Sequence, residues 1–199
     1  MTNIYLTKAL EILNETKQSL EEKDWVFVLE NDGTLLEKKE FPEICPTPRY
    51  KLNSIIDKNT QDLINKIWCA DYDSSKRDDC DIIDWEIVES GDDCKVIRQT
   101  NKMPWPIWTR ESVVAQVKIV DDNITWIISY SIDHELVPID EANYVRTGVY
   151  MSVYGFENCE NATKVYKVVQ INPAGSIPVS VVNMYAGKLA NAVNKWKLE

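Results

Sequence analysis

From residue 82 onward the chain reads as strand after strand, then changes period once and for good. Six stretches, "IIDWEIVES", "CKVIRQT", "SVVAQVKIV", "ITWIISYSI", "YVRTGVYMSVYGF" and "KVYKVVQIN", are rich in Val, Ile, Tyr and Trp. β-branched and aromatic residues suit a pleated, half-buried surface. Turn residues separate them, among them Ser90-Gly91-Asp92 and Asp121-Asp122-Asn123. Connections this short leave no room for crossover helices, so neighbouring strands run antiparallel. After Pro173, Gly175 and Pro178 the apolar residues Val182, Tyr185, Leu189, Val193 and Trp196 recur every three or four positions. That spacing predicts a closing helix over residues 178–196.

The first third adds smaller pieces. Leu6, Ala9, Leu10, Leu13, Lys17 and Leu20 fall near one face of an amphipathic helix over residues 3–22. "WVFVLENDGTLLEKKEF" places two strand-like runs around Asn31-Asp32-Gly33, a hairpin signal, and "RYKLNSII" reads as a third strand. "NTQDLINKIWCADYDSSKRDDC" opens on Asn59 or Thr60 as helix cap and predicts one or two short helices. The sum is a single α+β domain over residues 1–199. A curved antiparallel β-sheet wraps a long C-terminal helix, and any space left between them is an internal cavity.

Charge and composition exclude several functions. A formal net charge of −10 argues against nucleic acid, which needs clustered Lys and Arg, and against strong attraction to an anionic membrane. No apolar run reaches the length of a membrane span. The N-terminal stretch alternates polar and apolar residues and carries acids, unlike a secretory signal. Five cysteines, an odd count without a C-x-x-C pair, predict free thiols in the cytoplasm. His134 is the one histidine, so it alone could serve a site that needs an imidazole. Its place in "SIDHE" reads instead as a structural hydrogen bond. Asp133, His134 and Glu135 are adjacent and alternate across a strand, which does not make a metal site. One histidine and no nucleophile motif predict no enzymatic activity, and the six scattered glycines, with no phosphate loop, predict no cofactor.

Four stretches together resemble the START (steroidogenic acute regulatory protein-related lipid transfer) domain. "PWPIWTRE" is similar to that family's Pro-Trp-Pro loop closed by Arg-Asp. "WIISYSIDHELVP" resembles its Ser-x-Asp-His strand end, and "YVRTGVYMSVYGF" its Tyr-Val-Arg strand. "VYKVVQINPAGSIPVSVVN" resembles its strand, glycine turn and lead into the last helix. The resemblance implies a helix-grip fold around a tunnel for one lipid, gated by the loop at residues 101–110 and the last helix. There are departures. The family's Trp-Asp before the fourth strand is replaced by Asp79-Cys80. The acid and arginine that face each other in sterol-binding members become Ile97 and Gln116, with Gln116 beside Gln99. Asn172 and Ser176 stand in the glycine turn for aspartate and tryptophan.

Strand alternation and the resemblance nominate the ligand-binding positions: Ile97 and Gln99, Val114 and Gln116, Tyr150 and Ser152, Val165 and Val169, with Tyr185 and Leu189 closing from the helix. A dry core would look similar, but Gln99, Gln116, Ser152 and Lys167 among these positions favour a cavity, because buried polar groups need partners. In "NKMPWPIWTRE", Met103, Trp105, Ile107 and Trp108 crowd a segment broken by Pro104 and Pro106. Met103, Trp105 and Trp108 are candidates for a gate or membrane contact, since Trp suits a half-wet interface. The alternative is that both tryptophans fold back onto the last helix. Arg110 and Glu111 are expected to anchor the loop base through ion pairs, and Arg146 to pair with an acid. Lys76 and Arg77 read as a solvated loop, and Lys188, Lys195 and Lys197 as a solvated helix face.

The partner implied is a lipid, a phospholipid rather than a sterol, with transient membrane contact. The expected role is to carry one glycerophospholipid between membranes. The alternatives are a lipid-sensing module that changes its surface for an unspecified protein partner, and, less favoured, an enzyme on the helix-grip scaffold.

Overall fold

The computed structural model describes residues 2–175 and 177–198, so Ser176 lies outside the described residues. The chain begins with helix α1 (Thr2–Glu21) and strands β1 (Val26–Asn31), β2 (Thr34–Lys39) and β3 (Arg49–Ile56). Helices α2 (Thr60–Trp68) and α3 (Tyr72–Asp78) follow, then β4 (Ile82–Ser90), β5 (Cys94–Asn101), β6 (Arg110–Asp121) and β7 (Ile124–Ser131). Strands β8 (Val145–Arg146), β9 (Gly148–Cys159) and β10 (Ala162–Asn172) lead to helix α4 (Val179–Leu198).

Local chemistry sets the boundaries. Asp32 and Gly33 both take positive φ (50° and 66°), the signature of a tight hairpin turn between β1 and β2. Asn59 caps α2 by accepting from the Gln61 amide at 2.8 Å. Asp71 and Ser74 form a reciprocal capping box on α3, so "YDSSKRD" is helical rather than a loop. Lys76 and Arg77 are exposed there, and Lys76 donates to the Tyr72 hydroxyl at 2.7 Å.

The strands form one sheet in the order β1-β2-β3-β10-β9-β7-β6-β5-β4, antiparallel throughout this path. The sheet is open, with β1 and β4 as its edges. The "YVRTGVYMSVYGF" segment is not one strand. Thr147 turns its amide and hydroxyl onto the Glu111 carbonyl (2.8 and 3.1 Å), and the preceding Val145–Arg146 pairs parallel with β6.

Each face of the sheet carries a helix. On the outer face Ala9, Ile12 and Leu13 of α1 pack against Val117, Trp126, Ile128, Met151, Val153 and Val168. Gly155 lies opposite Trp126 in the ladder, and any Cβ there would collide with the indole ring. On the inner face α4 supplies Ala186, Ala190, Val193 and Trp196 against Leu36, Leu52, Ile56, Phe156 and Val165. Leu63 and Ile64 of α2 cover the same cluster.

Candidate ligand cavity and its rim

Between the inner face of the sheet and α4 lies a cavity of about 640 Å³. That is within the roughly 300–1,000 Å³ usual for sites that enclose an organic ligand. Ile97 and Gln99 of β5, Val114 and Gln116 of β6, Ser152 of β9 and Val169 of β10 line it, as do Tyr185 and Leu189 of α4. Met103 and Lys167 line it too.

Two nominated positions do not. Tyr150 is 41% exposed and turned away from the cavity. Its strand carries a β-bulge: Met151 pairs with Gln170 and Val149 with Ile171, leaving Tyr150 as the extra residue. A bulge shifts the alternation by one, so Val149 takes the inward place expected of Tyr150. Val165 is on the inner face but beyond the cavity's end, fully buried against Phe156 and Ile56. Sequence reasoning also passed over Trp85, Ser129 and Tyr154, which line the cavity. Alternation could have placed Ser129 and Tyr154 inward, but only the strand register sets them beside the other polar groups.

The register makes a transverse polar row. Ser152 lies opposite Ser129, and Ser129 opposite Gln116. The Gln116 amide nitrogen donates to the Ser129 hydroxyl at 3.2 Å, and its carbonyl oxygen is buried without a partner. At the β10 end of the row Lys167 donates to the Ser152 hydroxyl at 2.8 Å, with its ammonium 3.4 Å from the centre of the Tyr154 ring. Burial pushes the Lys167 ammonium down to about 7. Gln99 is not beside Gln116. It pairs across from Ser112, well along β5, and donates to Asn101 at 2.7 Å.

The rim is built from the loop after β5. Met103 is buried and receives a hydrogen bond from the Tyr185 hydroxyl at 3.1 Å, so it is the methionine, not a tryptophan, that folds back onto α4. Trp105 is 93% exposed and Trp108 58% exposed, and neither faces the cavity. Arg110 pins the loop, but not by an ion pair: it donates to the carbonyls of Trp108 (2.5 Å), Pro173 (3.0 Å) and Ala174 (2.9 Å). One side chain thus ties the loop to the turn before α4. Glu111 takes the ion pairs instead, with Arg98 at 2.6 Å and Arg146 at 2.8 Å.

The remaining candidates are structural. His134 Nδ1 accepts from the Leu136 amide (3.3 Å), which leaves Nε2 to donate to Glu89 (3.1 Å). Asp79, Cys80 and Asp81 bring three potential ligand atoms within 4.8 Å, but Asp81 is taken up by an ion pair with Lys188. Lys188 is therefore not a solvated lysine, and Lys197 donates to the Asp32 carbonyl and, at 3.2 Å, to the Thr34 hydroxyl. No described helix is long and apolar enough to cross a membrane.

The sequence matches the START domain over residues 6–197. It matches no curated protein. Among solved structures it is similar to human StAR-related lipid transfer protein 5, at TM-score 0.82 and 16% identity over 98% of this chain and 99% of that one. Human STARD10 aligns at TM-score 0.77 and 18% identity, covering 92% of this chain and 76% of the other. A STAR-related lipid transfer protein from Xanthomonas axonopodis aligns at TM-score 0.73 and 13% identity, over 88% and 97% of the two chains. At such identities the structural likeness speaks for the helix-grip fold. With that fold and a match across nearly the whole length, the chain belongs to the START domain family.

Proposed function

We propose that the protein encloses one lipid in this cavity and carries it between membranes, acting in the cytoplasm with transient membrane contact. The observation that carries the reading is an apolar-lined chamber whose rim holds two outward-facing tryptophans. Each CH₂ removed from water is worth roughly 0.8 kcal/mol, so a long acyl chain resists leaving a bilayer by on the order of 10 kcal/mol. A carrier lowers that barrier by opening an apolar interior at the membrane surface. Trp105 and Trp108 suit the bilayer interface, and Arg110 joins their loop to the base of α4. The names of the structural relatives, which include lipid transfer proteins, support the same reading.

A glycerophospholipid fits better than a sterol. Ile97 and Gln116 put no formal charge at the positions that the family's sterol-binding members use, and the polar row suits a head group that accepts several hydrogen bonds. Competition between labelled cholesterol and labelled phosphatidylcholine for the purified protein tests the preference. Phosphatidylcholine is expected to win, and stronger cholesterol binding refutes the choice of lipid. Transfer of labelled phospholipid between donor and acceptor vesicles tests the carrying itself.

A further inference from the structure

Lys167 stands apart from the other buried cations. Arg49 pairs with Glu15 at 2.5 Å and Lys51 with Glu37 at 3.1 Å. Lys95 donates to the Trp68 carbonyl at 2.5 Å, and Arg110 to three carbonyls. Lys167, 5% exposed, has among the described residues the Ser152 hydroxyl and the Tyr154 ring face as its partners. No carboxylate among the described residues pairs with it. An ammonium carries three donors, and a buried one without a counter-charge is costly. Nothing in the fold demands a lysine there: its neighbours on the inner face of β10 are Val165 and Val169.

The same row holds a second unsatisfied group. Gln116 is 8% exposed, and its carbonyl oxygen has no partner. Turning the amide over would leave its nitrogen unpaired instead, so one polar end of Gln116 is left over in either orientation. Ser152 and Ser129 face each other in register next to Gln116, and Lys167 reaches Ser152 from the neighbouring strand, so two hydroxyls that donate or accept as required stand between the two groups. A cation, two hydroxyls and a spare amide end thus converge on one band of a largely apolar chamber.

We infer that this band is an anion site: Lys167, with Ser152, Ser129 and Gln116 beside it, receives the carboxylate or phosphate of an acidic lipid. The inference rests on the lipid-carrying reading and names the class of lipid. A neutral hydroxyl would satisfy one N–H and leave the charge uncompensated. A carboxylate or phosphate supplies both acceptors and counter-charge, and such charge-assisted bonds are the stronger kind. The acyl chains then run along the apolar walls towards Met103 and the rim, so the acidic group enters first. Burial already brings the ammonium close to neutrality, and an arriving anion restores its proton.

Full-length protein incubated with vesicles of equal parts dioleoylphosphatidylcholine, dioleoylphosphatidic acid and oleic acid, then separated and analysed by mass spectrometry, decides the matter. Wild type is expected to load an acidic lipid in about tenfold preference to phosphatidylcholine, the scale of one compensated charge. Enrichment of phosphatidic acid assigns the site to a head-group phosphate, and enrichment of oleic acid to a free carboxylate. K167R should keep the preference and K167M should lose it. Equal loading of phosphatidylcholine and the acidic lipids by wild type overturns the inference, whether or not any variant folds. Persistence of the preference in K167M overturns it as well. A wild type that loads phosphatidylcholine alone overturns the anion site and leaves the carrier reading standing, whereas one that loads no lipid overturns the carrier reading.

Discussion

Lys167 and Gly155 show what single residues cost and constrain. The Lys167 ammonium, ordinarily near 10.5, is held at about 7 by burial. The titratable groups around the same cavity are Tyr50 on β3, Tyr154 on β9, Lys66 on α2, Arg110 and Glu111 on β6, Tyr185, Lys188 and Lys195 on α4, and Asp79 and Cys80 after α3. Burial is the cause of the shift. Between about pH 7 and 10.5 the unfolded chain holds a proton at this residue that the folded chain has lost. The penalty is therefore full below about pH 7, shrinks as pH rises, and is gone above the unfolded value. Empty wild-type protein should gain stability from this residue as pH rises from 7 to 9. Lys167→Met should raise stability at pH 7 by about 1–4 kcal/mol and flatten that slope. Urea melts across this range check both, and a less stable Lys167→Met contradicts the account. At Gly155 the constraint is steric, since the Trp126 ring occupies the space of a Cβ. Gly155→Ala is expected to cost about 1–3 kcal/mol through overpacking, and an unchanged denaturation midpoint would show that the indole has room to move.

At the scale of elements, the loop after β5 separates function from packing. Trp105 and Trp108 bury little area, so the double change to alanine should shift the melting temperature only slightly. A core Trp→Ala change, by contrast, costs about 3–5 kcal/mol. Vesicle-to-vesicle transfer should slow several-fold at the same time, as expected of side chains that act when the loop meets a bilayer. A large fall in melting temperature with transfer per folded molecule unchanged would make the two tryptophans ordinary packing. The elements themselves were legible in the sequence wherever one periodicity ran unbroken. The hairpin at Asp32-Gly33, the strands from Ile82 to Asn172 and the closing helix all follow from local pattern. What escaped was non-local. The bulge at Tyr150 is a count of two residues against one on β10, and nothing within "YVRTGVYMSVYGF" announces it. Alternation put Val165 on the right face but carries no information about depth, so its place beyond the cavity's end was hidden. The polar row depends on the register of β9, β7 and β6, which the sequence of any one strand does not contain. Arg110 was read as an ion-pair former, whereas its partners are backbone carbonyls that only the folded turn at Pro173 brings near.

The whole molecule is a grip that does not close fully. Two helices hold the sheet from opposite faces, α1 against one core cluster and α4 against the other, with the chamber beside the second. The chamber left between sheet and α4 is a cost to the fold, because an empty apolar space forfeits the contacts that would fill it. A lipid restores those contacts, so binding should both fill the molecule and stabilise it. Native mass spectrometry of the full chain after incubation with phospholipid vesicles tests this most directly, alongside a variant, Val114→Trp, whose larger side chain intrudes into the chamber. Wild type should appear as one protein chain carrying one lipid, and Val114→Trp should lose that species while remaining folded. Wild type that stays at its bare mass, or lipid retained undiminished when the chamber is filled, would contradict lipid binding in the chamber.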